Sequence, residues 1–342
     1  MPSDAERPRI GRRSLLLSAG ALACSRAESG QRAAPSSVEA AVSGAPGLPE
    51  AGAAEVAPAT SAAPDSDAPL LPASQASLDF PATPVGRISV VVALPERREG
   101  QRLPLLVALH GRGETLKGPE RGARGWVDDY ALARAAARLR RPPLTAKDFE
   151  GFVEQARLAR LNGALAEVPH GGVAVACPFL PDILSSDDPF FGAAPYATFL
   201  CDVLLPKLRA EFPLLAAPAA TGIDGVSLGG RAAIAVGLLR PDAFGAIGTL
   251  QAALEPKNAV QIVRRAREAR ERNPSLRLRL LTSSDDYYNA VTHAVHNALR
   301  YAEIEHDFLV VPGPHDYVFN RGPGALEMLA YHDRVLRGRT PI

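Results

Sequence analysis

Between residues 85 and 336 short apolar runs alternate with segments whose apolar residues recur at helical spacing, and few architectures accept that alternation. The strand-like runs cover 85–94, 103–109, 173–177, 219–226, 244–250, 276–282 and 305–311. Helical periodicity covers 130–139, 148–165, 196–211, 228–239, 260–272, 288–302 and 325–336. Strands separated by helices of this length cannot pair as hairpins. They predict an α/β domain with a mostly parallel central sheet and helices on both faces. Ligands on such sheets bind at the carboxyl ends of the strands. The connection 111–125, rich in glycine and charge, reads as a flexible loop that adds little to the core.

The chain ahead of this pattern differs in kind. Residues 24–76 are dominated by Ala, Pro, Ser, Gly and Glu, with no sustained period in larger apolar side chains. Such a stretch cannot bury enough surface to offset its chain entropy and is expected to be a disordered tether. The folded domain is then expected over 77–342. Residues 1–23 read as an export signal, with Arg12 and Arg13 ahead of an apolar and small-residue run from Ser14 to Ala23. That run is about half the roughly 20 residues a spanning helix needs. Arg12-Arg13 followed by Ser-Leu-Leu-Leu resembles the twin-arginine motif, with Gly11 where Ser or Thr is usual. Ala21-Leu22-Ala23-Cys24 resembles a lipobox, with Ala21 in place of the usual Leu, and implies a lipidated Cys24 holding the protein to a membrane. Cleavage near Ala23 followed by free secretion is the alternative.

Charge narrows the partners. Lys and Arg total 38 against 37 Asp and Glu, a net charge of +1, without the basic excess a nucleic-acid binder carries. Three cysteines (Cys24, Cys177, Cys201) are too few for a disulfide scaffold. Cys177 and Cys201 read as small buried hydrophobes, and whether they bridge depends on a Cα separation the sequence does not give.

Chemistry concentrates at Gly225-Val226-Ser227-Leu228-Gly229, a G-x-S-x-G sequence between an expected strand and an expected helix. On so tight a turn the serine is held in strained backbone geometry, and side chains at 225 or 229 would collide with the neighbouring strand and helix. The helix amides behind it favour developing negative charge, and the backbone N–H of Leu228 is a natural oxyanion donor. Serine is a weak nucleophile without a base. Of seven histidines, only His315 lies in the loop directly after the final strand, Gly313-Pro314-His315-Asp316, while His332 sits in the last helix. The third member should be a carboxylate at the end of an earlier strand, which leaves Asp285 and Asp286, with Asp286 preferred and the other expected to cap the following helix. A second oxyanion amide is expected from Arg112, after the strand that ends at His110-Gly111, with His110 itself a buried structural residue.

Together these residues resemble the putative-esterase branch of the α/β-hydrolases, which includes esterase D, feruloyl esterases and mycolyltransferases. The resemblance covers roughly 87–336. It is strong from Tyr196 to Ala246, where the elbow and Arg240-Pro241-Asp242-Ala243-Phe244-Gly245 lie, and around Gly313-Pro314-His315-Asp316-Tyr317. It is weak over 118–171, a stretch long enough for a partial lid, and Gln251 stands where the family has a serine. What it implies is an α/β-hydrolase fold and hydrolysis of small-molecule or polymer esters through a Ser227 acyl-enzyme, with no metal or organic cofactor. A peptidase or acyltransferase using the same residues, or a surface-anchored binding protein without turnover, remain as alternatives. His293-x-x-His296 and Glu303-x-x-His306 have metal-compatible spacing but are common on solvated faces, and Arg264–Arg272 reads as such a face. Trp126, Phe190 and Phe191 are open to pocket-lining or core roles.

Overall fold

The computed structural model describes residues 68–183 and 188–342. The export signal, Cys24 and most of the expected tether lie outside the described residues. Eight strands form one sheet: β1 Ser74–Phe80, β2 Ile88–Leu94, β3 Leu105–Leu109, β4 Ala174–Pro178, β5 Thr221–Gly225, β6 Ala246–Leu250, β7 Arg277–Asp285 and β8 Asp307–Pro314. Their order across the sheet is β8-β7-β6-β5-β3-β4-β2-β1. Only β2 runs against its neighbours, pairing antiparallel with β1 and β4, and every other pairing is parallel. This is the α/β-hydrolase architecture.

Successive residues of a strand face opposite sides of a sheet, and β5 shows what that does here. Ile223 packs toward the helix Leu228–Leu239, where a Cβ on Gly237 would touch it. Asp224, next in sequence, bonds His332 of the helix Ala325–Val335 on the other face. The central strands β3, β4, β5 and β6 are buried along their whole length, as strands covered twice must be.

Five expectations need correction. The tether boundary at 76 falls inside β1, whose Ser74 to Phe80 pair residue by residue with Leu94 to Ile88. As an edge strand it carries few large apolar residues, so its period-2 signal is faint. The connection 111–125 is not an open loop: short helices occupy Arg112–Thr115 and Pro119–Gly122, and Glu114 and Ala123 are buried. In place of one helix over 148–165 there is a 3-10 turn Ala146–Phe149 followed by the helix Gln155–Glu167. The helix expected from 196 begins at Pro189, which fits the first helical turn, where a missing N–H costs nothing. The stretch 118–171 forms no lid. Its Trp126, Leu139, Phe149 and Leu161 are core residues, and its helix Leu132–Leu139 packs on Ala325–Val335.

Candidate active site

β5 ends at Gly225, and the chain turns into the helix Leu228–Leu239 through Ser227, whose φ of 56° and ψ of −116° lie outside the ordinary range for a side-chain-bearing residue. Such a conformation costs about 1–3 kcal/mol and persists only where its surroundings hold it. Here Ser227 N donates to Leu250 O, while its carbonyl accepts from Arg231 N and Ala253 N. The close approach depends on two glycines. A Cβ at 225 would overlap the carbonyl of Gly229, and one at 229 would overlap the carbonyl of Leu109. The Ser227 hydroxyl does not cap the helix it precedes, so it stays available, half-buried at the carboxyl end of the sheet.

β7 and β8 deliver the other two groups. His315 Nδ1 lies 2.8 Å from Asp286 Oδ1. The second oxygen of Asp286 accepts from Thr282 Oγ at 2.8 Å, and Oδ1 also takes the Tyr288 amide at 2.9 Å, so the buried carboxylate is fully engaged. With Nδ1–H committed to the carboxylate, the free lone pair of His315 is on Nε2, the tautomer a general base needs. The register of β8 on β7 shifts between Val311 and Pro314, and Gly313 within that bulge has a φ of +127°. A bulge there re-aims the strand end and sends His315 back toward β7. Gln251, the residue noted in place of a family serine, supports the same turn: its Nε2 donates to Pro314 O at 2.8 Å and to Ser283 Oγ at 2.6 Å. The rings of Tyr287 and Tyr288 flank His315 at 4.2 and 5.5 Å between centroids.

Asp285, the alternative carboxylate, is exposed as the last residue of β7 and accepts, among the described residues, only from Ser284 Oγ, at 3.3 Å. It caps no helix, because the next one starts at Asn289 behind Tyr288. Leu228 and Arg112 each open a helix, and first-turn amides have no acceptor within their own helix. The Arg112 side chain points away to Asp182, 3.9 Å distant and exposed. A Cβ on Gly111 would come within 3.8 Å of Ser227 Cβ, so the loop carrying Arg112 borders the serine. His110 is buried with both ring nitrogens bound, Nδ1 to Gly111 O and Nε2 to the Leu180 amide, each at 2.9 Å. Burial pushes its pKa down to about 4, which keeps it neutral.

Other candidates fall away from the site. Phe190 is buried under the Arg265 guanidinium, and Trp126 packs edge-on against Tyr130. Cys177 and Cys201 are both free and buried. His296 Nδ1 and His306 Nε2 bond each other at 2.8 Å, and among the described residues no group of three or more His, Cys, Asp or Glu could hold a metal ion. Sequence reasoning missed Glu114, which is buried beneath the Gly111 loop and joined to Tyr130 and Tyr317.

Residues 188–286 match the family model described as "Putative esterase", a span that holds Ser227 and Asp286. Among solved structures the fold is similar to a ferulic acid esterase, with 17% identity, 78% of this chain and 100% of that one covered, and a TM-score of 0.58. It is also similar to the fluorophosphonate-binding serine hydrolase FphF of Staphylococcus aureus (16% identity, 77% and 99% covered, TM-score 0.55). S-formylglutathione hydrolase from the same organism gives 17% identity, 77% and 97% coverage and a TM-score of 0.52. No curated protein matches the chain in sequence.

Proposed function

We propose that the chain is a serine ester hydrolase of the esterase branch of the α/β-hydrolases, with Ser227, His315 and Asp286 as its catalytic triad, a reading supported by the matched esterase model and the similar folds. Ser227 Oγ attacks the ester carbonyl as His315 Nε2 takes its proton. Asp286 holds the ring in the required tautomer and stabilises the imidazolium. The amides of Leu228 and Arg112 receive the charge that develops on the carbonyl oxygen. The alcohol leaves with the proton from His315, and water, activated by the same base, releases the acid. One observation carries the reading: the buried Asp286 engages Nδ1 of a histidine on the neighbouring strand end, at the same end of the sheet as a serine held at positive φ.

Fluorophosphonate labelling with mapping of the adduct tests it. The expected adduct is on Ser227, and Ser227→Ala should lose at least ~10³-fold in rate on a small aryl ester. An adduct elsewhere, or none, removes the triad. Short-chain, hydroxycinnamoyl and polymer esters belong in the same panel, since similar folds include feruloyl esterases. The reading extends to export and membrane anchoring through Cys24, supported by the pattern of Arg12, Arg13 and Ala21 to Cys24. A Cys24→Ser variant should then leave the membrane fraction. Unchanged membrane association would exclude anchoring through that residue.

A further inference from the structure

Glu114 is almost completely buried, at 1% exposure, on the short helix that opens with Arg112. A carboxyl group in such a place is costly unless its oxygens are met by donors. Here three donors meet them, from separate segments. Tyr130 Oη–H donates to Oε2, Tyr317 Oη–H donates to Oε1 at 2.6 Å, and Lys117 Nζ lies 3.5 Å from Oε1. Tyr130 Oη in turn accepts the Gly111 amide at 3.2 Å. Lys117 is held from its other side by Asp129, 2.7 Å away.

The placement matters more than the count. Gly111 is the residue before Arg112, and Tyr317 is two residues beyond His315. One point, the position a Cβ on Gly111 would take, is 3.3 Å from Tyr130 Oη, 3.4 Å from Glu114 Oε2 and 3.8 Å from Ser227 Cβ. The network therefore stands directly behind the backbone that faces the serine. It joins that backbone to the histidine loop.

Resting on the triad reading above, we propose that Glu114 is a positioning residue: through Tyr130 it holds the Gly111 N–H, one residue before the Arg112 amide of the oxyanion hole, and through Tyr317 it fixes that loop relative to His315. The phenols are suited to the task. Burial and the neighbouring Glu114 push Tyr317 up to about 12 and Tyr130 well above the usual tyrosine range, so both stay protonated and donate at any working pH. An acceptor-only group is required between two such donors. A glutamine cannot replace it, because its amide offers one oxygen and turns N–H groups toward the second phenol.

The test uses the full chain and five variants, one of them double. Glu114→Gln should lower kcat on the order of 10²-fold, the scale set by misplacing reacting groups by about an ångström, while KM stays within about threefold. Affinity for a trifluoromethyl ketone, which adds to the serine and uses the oxyanion hole, should fall in parallel with kcat. Tyr130→Phe and Tyr317→Phe should each reproduce part of the loss, and Tyr317→Phe should add little once Glu114 is already Gln. These single-hydroxyl deletions keep the proposal testable if Glu114→Gln does not fold. Folded variants with unchanged kcat would overturn it, as would a rise in KM with kcat intact, which would make the network part of substrate binding. Ser227→Ala run alongside separates the two claims. Full activity in that variant would remove the triad itself, whereas an inactive Ser227→Ala beside a fully active Glu114→Gln would remove only the positioning role.

Discussion

The sheet carries two imidazole–carboxylate pairs of almost equal length, His315–Asp286 at 2.8 Å and His332–Asp224 at 2.9 Å, and the proposed triad uses only the first. His332 and Asp224 are wholly buried on β5 and the helix behind it, three residues upstream of Ser227 in sequence but under the sheet. There the bond is made by Nε2, and Nδ1 has no partner and no access to solvent. Burial lowers the pKa of His332 against the pull of Asp224, and the ring is a neutral donor. Arg279 completes the cluster, 3.5 Å from Asp224 and stacked 4.2 Å from the Tyr331 ring. At the strand ends the bond is made by Nδ1 and leaves Nε2 free. A histidine bonded to a carboxylate is thus no signature by itself. What distinguishes the pairs is which nitrogen is spent and whether the ring is open to solvent, as His315 is in part and His332 is not.

The largest effect that separates them is on rate. Asp286→Asn should depress kcat on the order of 10⁴-fold, as loss of the orienting carboxylate does in serine hydrolases, with little change in melting temperature. Asp224→Asn should do the reverse. Removing one charge of a buried cluster leaves Arg279 uncompensated and costs about 3–5 kcal/mol of stability, while the folded fraction keeps kcat within about tenfold. Urea titrations beside steady-state kinetics measure both quantities. If Asp224→Asn proved as inactive as Asp286→Asn, the two pairs could not be divided into catalytic and structural.

Which parts of this were legible in the sequence follows from distance along the chain. The helix Leu228–Leu239 is readable to the residue, because a strained turn marks its start and Arg240-Pro241 its end. His315 can be singled out by elimination, since of the two histidines after the last strand only His315 sits in the loop at its end, and His332 lies within the closing helix. The choice between Asp285 and Asp286 depends on where β7 stops, and the strand runs to 285, past the expected 282. That extension puts Asp285 in the ladder opposite Pro314 and leaves Asp286 as the first residue free to turn inward. Glu114 could not be found this way. Its tyrosine partners are 16 and 203 residues away, and a glutamate between glycines and a lysine looks solvated until the fold closes over it.

A smaller effect concerns pH. His110, pushed from 6.5 to about 4, and His332, lowered in the same direction, are both kept neutral by burial. The unfolded chain binds these protons first. Stability is therefore highest above about pH 6.5 and falls as pH drops toward 4, by about 3 kcal/mol for His110 if the whole window is crossed. Protonating His110 at Nε2 would also take away the acceptor for the Leu180 amide. His110→Gln should flatten this slope between pH 6.5 and 4 in urea titrations, and an unchanged slope would show that the ring does not resist protonation.

The smallest effect gives the sharpest reading of the site. Asp285 and Asp286 are adjacent in sequence and equal in charge, so a purely electrostatic role for a negative group near His315 would let either serve. Asp285, though, is exposed, and its charge acts through water, where a pair is worth about 0–1 kcal/mol and salt screens it. Asp286 acts through a direct bond that selects the tautomer, and no neighbour can supply that bond from a distance. Asp285→Asn should accordingly change kcat/KM by less than about twofold, and the small change should vanish in 0.5 M salt, about where the Debye length falls below the size of a side chain. A drop of tenfold or more that persists in salt would mean the exposed aspartate takes part directly, and the assignment of the third triad member would have to move one residue back.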